Sequence, residues 1–263
     1  MPVSVASVFS NPEHFRQALG NYGIVSLVII DRGRFRARLT QVVLNDMRLA
    51  AGEEELSRIA FVAVPADTVL VSLPIGDRPA AIWSGMELHV GEMITLVPNQ
   101  RMHAKTAGPC AWGSIRLSGD DLARSGRALT GAEFVVPPIA RWRPPRAALR
   151  ELRHFYRAAI RAAEMRSRAL ANDEALRGLE QQLIDALVEC LSARSVDEET
   201  EAARQHRDIL VRFEDLAKDQ PVLDIAETCG VLRVSERMLR RCCEEQLGME
   251  PVDYAALRRA RSV

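Results

Sequence analysis

The sequence has no net charge: 35 Lys and Arg stand against 35 Asp and Glu. A chain so balanced projects no global basic field that would gather nucleic acid, so any DNA contact must be local. Long apolar runs are missing as well. No stretch approaches the roughly 18 residues of a membrane helix, and the opening MPVSVASVFSNPEHF has no basic start followed by a sustained apolar core. These absences predict an unprocessed, cytoplasmic chain with no membrane partner. The five cysteines, Cys110, Cys190, Cys229, Cys242 and Cys243, show no CxxC spacing and no density of a secreted disulfide scaffold, so they read as reduced thiols. Catalytic motifs are missing too. Ser84, Ser114 and Ser118 sit in no GxSxG elbow, and neither a GxGxxG nor a GxxxxGK(S/T) loop occurs. The sequence therefore predicts no enzyme and calls for no cofactor.

What is present is a 263-residue chain, 48% apolar, whose pattern fits two domains better than one. From about Gly23 to Leu117, short β-branched and aliphatic runs recur between turn residues: Ile24 to Ile30, Phe35 to Leu44, Ile59 to Val64, Val69 to Leu73, Ala80 to Trp83, Met86 to Val90 and Met93 to Val97. A β-sandwich or barrel covers such strands. Phe35, Ala37 and Leu39 alternate with Arg36, Arg38 and Thr40, which predicts one face on a core and one in water.

Val135 to Pro145 carries Pro137, Pro138, Pro144 and Pro145 and is expected to continue neither a helix nor a central strand. Beyond this boundary Leu149, Leu152, Phe155 and Tyr156 share a helical face, and Leu176, Leu179, Leu183, Leu187 and Leu191 recur at steps of three and four. That stripe either packs on the strand domain or pairs with a second copy. The acidic stretch Ser195 to Ala202 reads as a linker or a solvated helix start. The expected fold is thus α+β: a β-rich sensing domain of sandwich or barrel type over residues 1–140, a helical connector over 146–195 that can dimerise, and an all-α domain over 203–263.

The most informative segment is Pro221 to Pro251. A DNA-reading helix-turn-helix needs a small residue where its helices cross, apolar residues on both sides of the turn, and apolar anchors on the second helix. Cys229, Leu232, Val234, Leu239 and Cys242 fall at those places. Ser235 suits the N-cap of a recognition helix running to about Leu247, and Gly248 suits the left-handed residue that ends it. With Leu239 and Cys242 inward, the opposite face presents Glu236, Arg237, Arg240 and Arg241, with Met238 beside them. Arginine bonds guanine edges bidentately or clamps phosphates, and methionine offers apolar contact to a thymine methyl. Against this stands a surface helix of ordinary charge, since Glu236, Glu244 and Glu245 offset much of the arginine.

VSERMLRRCCEEQLGMEPVDY resembles the first helix-turn-helix of the AraC/XylS family, with Leu247, Gly248, Pro251 and Tyr254 supplying the trailing part of the pattern. The resemblance rests on about forty residues; Gly178 to Leu191 and Pro98 to Leu117 are similar, less specifically, to regulatory halves of a family subgroup. It implies a sequence-specific regulator of transcription that binds double-stranded DNA, works with RNA polymerase, and senses a small-molecule effector or a partner subunit in its first half. The family's glycine before Val234 is replaced by Arg233. Either Arg233 adopts positive φ at some cost, or Gly230 and Val231 form the turn; the first keeps Cys229, Leu232 and Val234 in register. Family members also carry a second reader after a long connecting helix, and here that helix runs from about Val252 to Val263 with no reader following. If specific binding is about 4 to 10 kcal/mol better than non-specific, half the base contacts leave on the order of 2 to 5, which predicts weak binding without dimerisation. The alternative is a ligand-sensing or dimerising module with little DNA binding.

His89 and His103, with Glu87 and Glu92 nearby, lie in the strand half, but no HxH or HxxxH pair supports the three or four ligands of a metal site. They read as ordinary core or surface histidines and predict no metal. Trp112 and Trp142 read as core or boundary aromatics.

Overall fold

The computed structural model describes residues 4–76, 81–165, 172–192, 196–219 and 224–261. Ala80, Ser195, Pro221 and Val263, at the ends of segments expected from sequence, lie outside them. Runs of β-branched and aliphatic residues form β1 (Val5–Phe9), β2 (Ile24–Ile29), β3 (Ala37–Leu44), β4 (Met47–Glu54), β5 (Arg58–Ala63), β6 (Thr68–Pro74), β7 (Ile82–Trp83), β8 (Met86–Glu87), β9 (Met93–Leu96), β10 (Arg101–Lys105) and β11 (Cys110–Ser118). Two further strands, β12 (Ile139–Trp142) and β13 (Val196–Glu198), come later in the chain. All pair antiparallel, in one sheet of order β1-β3-β4-β11-β6-β9-β12-β13 and a second of order β2-β5-β10-β7-β8. The fold is α+β, with its sheets in the first half and helices dominating the second.

The sheets pack face to face over Leu27, Leu39, Ala60, Val62, Leu70 and Met102, a core closed at one end by Phe15 and Leu19 of α1 (Pro12–Leu19). Side chains of the larger sheet that point the other way, among them Val42, Leu49, Val71 and Ile115, meet α2 (Gly119–Thr130), α3 (Arg146–Glu164) and α4 (Asp173–Leu191). The leucine stripe is buried here: Leu176, Leu183, Leu187 and Leu191 all belong to this core, with Leu179 packed at its edge. The stripe is thereby used within the chain and does not offer those leucines to a second copy. The remaining helices, α5 (Glu201–Asp219), α6 (Ile225–Leu232), α7 (Glu236–Gln246) and α8 (Pro251–Arg261), pack on the outer face of the smaller sheet, where Val28 and Ile59 enter their core. The result is four layers: helices, sheet, sheet, helices.

Two expectations are corrected. Thr40 is not in water with Arg36 and Arg38: it is buried beneath α3, and its hydroxyl bonds the Glu164 carboxylate at 3.2 Å. The outer face of β3 changes from exposed to covered where α3 crosses it. The proline-rich stretch also contains a central strand after all, because β12 lies between β9 and β13 with Pro138 and Pro144 just outside its ends. Each proline thus avoids a ladder donor position, while Ile139 to Trp142 pair with β9 and Ala140 to Trp142 pair with β13 as well. Trp142 is buried and donates to Thr95 Oγ1 at 2.8 Å; Trp112, half-buried, donates to Glu54 at 2.6 Å.

Candidate nucleic-acid interface

Asp224 starts α6 by accepting from the Glu227 amide at 3.0 Å, the bond an N-cap carboxylate makes to a free first-turn donor. The helix ends at Arg233, which takes φ 58° and ψ 46°, while Gly230 remains inside the helix. Of the two turn geometries, the one with a non-glycine left-handed residue is therefore adopted. The following Val234 amide returns to Cys229 O at 3.1 Å, which satisfies a terminal carbonyl. Ser235 then caps α7, its hydroxyl accepting from the Met238 amide at 3.2 Å, and Gly248 at φ +73° ends the segment. Cys229, Leu232, Leu239 and Cys242 share one core with Leu210, Phe213, Leu247 and Tyr254; Val234 and Met238 pack at its edge. All five turn-packing residues named from sequence are thus brought together.

The outer face of α7 presents Glu236, Arg237, Arg240 and Arg241 to solvent, and Met238 is only half exposed. The charges on this face are largely engaged with one another. Arg240 bonds Glu236 at 2.6 Å and lies 3.6 Å from Glu250. Arg241 bonds Glu245 at 2.7 Å, and Glu245 also meets His206 Nδ1 at 2.9 Å. The Arg241 guanidinium holds the Glu245 carboxyl below its ordinary range. Arg237 has no ion pair among the described residues and projects its fork freely. At exposed sites such pairs are weak, so approaching phosphates can exchange with them.

A buried polar cluster joins these helices to the strands. Glu214 of α5 accepts from Tyr254 Oη at 2.6 Å, Arg258 Nε at 3.0 Å and Ser26 Oγ at 3.0 Å, and meets His103 Nε2 at 3.4 Å. Burial alone would raise the pKa of this carboxyl, but its bonds to His103, Arg258 and Tyr254 hold it at about 2, ionised. His103 is thus a structural partner, and no group of three or more ligating side chains among the described residues could hold a metal. Around the cluster Arg101 pairs with Asp215, and Arg207 clamps Glu199 at 2.8 and 3.1 Å. Nothing local in the sequence marks this cluster, since Ser26, His103 and Glu214 lie far apart along the chain.

Between the sheets lies a cavity of about 40 Å³ lined by Tyr22, Leu70, Trp83, Leu88 and Trp112. No described helix is long and apolar enough to cross a membrane.

Neither a family model nor a curated protein matches the chain. Among solved structures it is similar to that of the AraC-like transcriptional activator CuxR, at 16% identity over 98% of this chain and 93% of that one, with a TM-score of 0.52. An apo ToxT variant from Vibrio cholerae strain SCE256 is similar at 10% identity over 88% of this chain and 82% of that one (TM-score 0.34). The unsaturated fatty acid bound ToxT of the same strain is similar at 8% identity over 98% and 78% (TM-score 0.32). The likeness to CuxR is one of fold.

Proposed function

We propose that the chain is a DNA-binding regulator of transcription of the AraC type, with α7 laid in a major groove. The observation that carries this reading is the α6-turn-α7 unit, in which Cys229, Leu232, Leu239 and Cys242 point into one core while Glu236, Arg237, Arg240 and Arg241 stand in solvent. Shape alone would suit many helical pairs; the short turn, capped second helix and arginine-bearing outer face together suit a groove. In this reading Arg237 is the leading base or phosphate contact, Arg240 and Arg241 join on exchanging their glutamates for phosphates, and Met238 lies at the edge of the contact. Ser235 holds the first turn of the reading helix in place.

Effector sensing belongs in this scheme to the sandwich half. Its 40 Å³ cavity must widen to admit an organic ligand, because small-molecule sites are typically about 300–1,000 Å³. A ligand that favours the widened state over the closed one shifts the population of molecules, and only that difference in affinity does work. RNA polymerase is the further partner this reading calls for.

One observation favours a second reading, in which the helical half binds little DNA: α7 carries three arginines and three glutamates, so it brings no net charge to the groove. Fluorescence anisotropy on DNA from the region upstream of its own gene, against scrambled DNA across a salt series, separates the two. Salt-sensitive binding that prefers its own DNA supports the regulator. Binding to neither at low salt overturns it in favour of the sensing or dimerising module.

A further inference from the structure

Along α3, Arg146, Arg150, Arg153, Arg157 and Arg161 follow one another at steps of four, three, four and four, which puts all five on one face of the helix. The rise of an α-helix spreads them over about 22 Å. Together with His154 and Gly91 they line a groove of about 510 Å³ that has no acidic side chain in its walls. Arg146, Arg150, Arg157 and Arg161 are exposed and form no hydrogen bond or ion pair among the described residues, while Arg153 donates to Pro74 O at 2.9 Å. The two carboxylates of α3 are directed elsewhere. Glu151 lines a different groove between α3 and α4, and Glu164 is bonded by Thr40.

This is the reverse of the arrangement on α7, where Arg240 and Arg241 each have a glutamate one turn away. On α3 the groups one turn apart are like charges, Arg146 with Arg150, Arg153 with Arg157, and Arg157 with Arg161, and they repel. A polyanion in the groove removes that repulsion. Guanidinium forks match phosphate oxygens in pairs, and a row of arginines along one helix face suits an anion with several charges spread along its length, which a single carboxylate or a halide does not supply. We propose that the α3 groove binds a soluble small molecule carrying at least two phosphate groups.

The position of the groove favours a free ligand over the DNA backbone. Helix α3 covers the outer face of the larger sheet, and α7 belongs to the helical layer on the outer face of the smaller one, so a duplex seated on α7 is separated from α3 by both sheets. The groove is also of small-molecule size.

The test uses the full chain with sodium tripolyphosphate as the probe, titrated by calorimetry at physiological salt. Saturable one-to-one binding is expected, weakened on the order of a hundredfold by the double variant Arg150→Ala, Arg157→Ala, at about tenfold for each lost charge-assisted pair. Arg150→Lys, Arg157→Lys keeps the charge but not the fork and is expected to fall between. Arg32→Ala, Arg34→Ala, which removes exposed arginines of a distant loop, leaves binding unchanged. Absence of saturable binding, equal loss in the Arg32, Arg34 variant, or orthophosphate binding as tightly as tripolyphosphate would each overturn the proposal. So would loss of DNA binding in the Arg150, Arg157 variant with no tripolyphosphate bound, which would assign the arginines to DNA.

Discussion

His103 of the central strand β10 and Glu214 of α5 meet at 3.4 Å across the boundary between strands and helices, both almost wholly buried. An ionised carboxylate there needs every bond it receives. Four side chains from three elements besides α5 supply them, so the carboxylate fixes how the helical layer sits on the sheet.

Removing the carboxylate should therefore be severe. Glu214→Ala leaves Arg258 and His103 buried without their partner, and breaking a buried charged pair in this way destabilises by about 3 to 5 kcal/mol. Urea unfolding followed by circular dichroism measures it. A loss below about 1 kcal/mol would mean that water replaces the carboxylate freely.

Acid should act on the same group. The folded-state pKa of Glu214 is lowered to about 2 from an ordinary 4.5, so its contribution is fully present above about pH 4.5 and drains away as pH falls toward 2. The difference corresponds to about 3 kcal/mol. Stability curves of the wild type and Glu214→Gln should converge over that window; parallel curves would show that the group does not titrate there.

At the turn, the left-handed Arg233 stores conformational energy. Arg233→Gly relieves a penalty of about 1 to 2 kcal/mol and gives back about 0.5 to 1 through the freer unfolded chain, so a small net gain is expected. Arg233→Val, β-branched, should lower stability instead. Thermal melts of the two variants should move in opposite directions, and two falling melts would argue against the left-handed turn.

On DNA, Arg237→Ala should cost about 1 to 3 kcal/mol if the fork reads a base, with relaxed preference at one position, or lower the salt slope by about one if it holds a phosphate. Arg240→Ala should cost less, since its guanidinium first leaves Glu236. Unchanged binding in Arg237→Ala would remove α7 from the contact.

The helix-turn-helix was legible because its constraints are local: Cys229, Leu232, Val234, Leu239 and Cys242 lie within fourteen residues and answer to one packing geometry. Strands β2, β3, β5, β6 and β9 were legible for a similar reason, as apolar runs between turn residues. Strands β4 and β11 were not. MRLAAGEE and CAWGSIRLS carry small and charged residues, and they become strands because β3 and β6 offer them ladders on either side. β12 was hidden by prolines that lie just beyond its hydrogen-bonded residues. The Glu214 cluster and the covering of Thr40 were beyond reach, since each depends on two segments more than a hundred residues apart. The arginines of α3 were in plain view. They repeat with the same period as Leu149, Leu152 and Tyr156, on another side of the helix, and an apolar pattern carries no information about them.

The smaller sheet is covered on both faces, by the larger sheet on one side and by the α5 to α8 layer, through Val28 and Ile59, on the other. The helical half is consequently no detachable head on a tether. A gene fragment ending before α5 would encode a barrel with a bare oily wall, prone to clump, and a fragment encoding α5 to α8 alone would lack the floor on which Glu214 and Tyr254 rest. Recombination that exchanges the strand half or the helical half would have to carry the matching wall across with it, so the two parts are expected to be inherited as one piece.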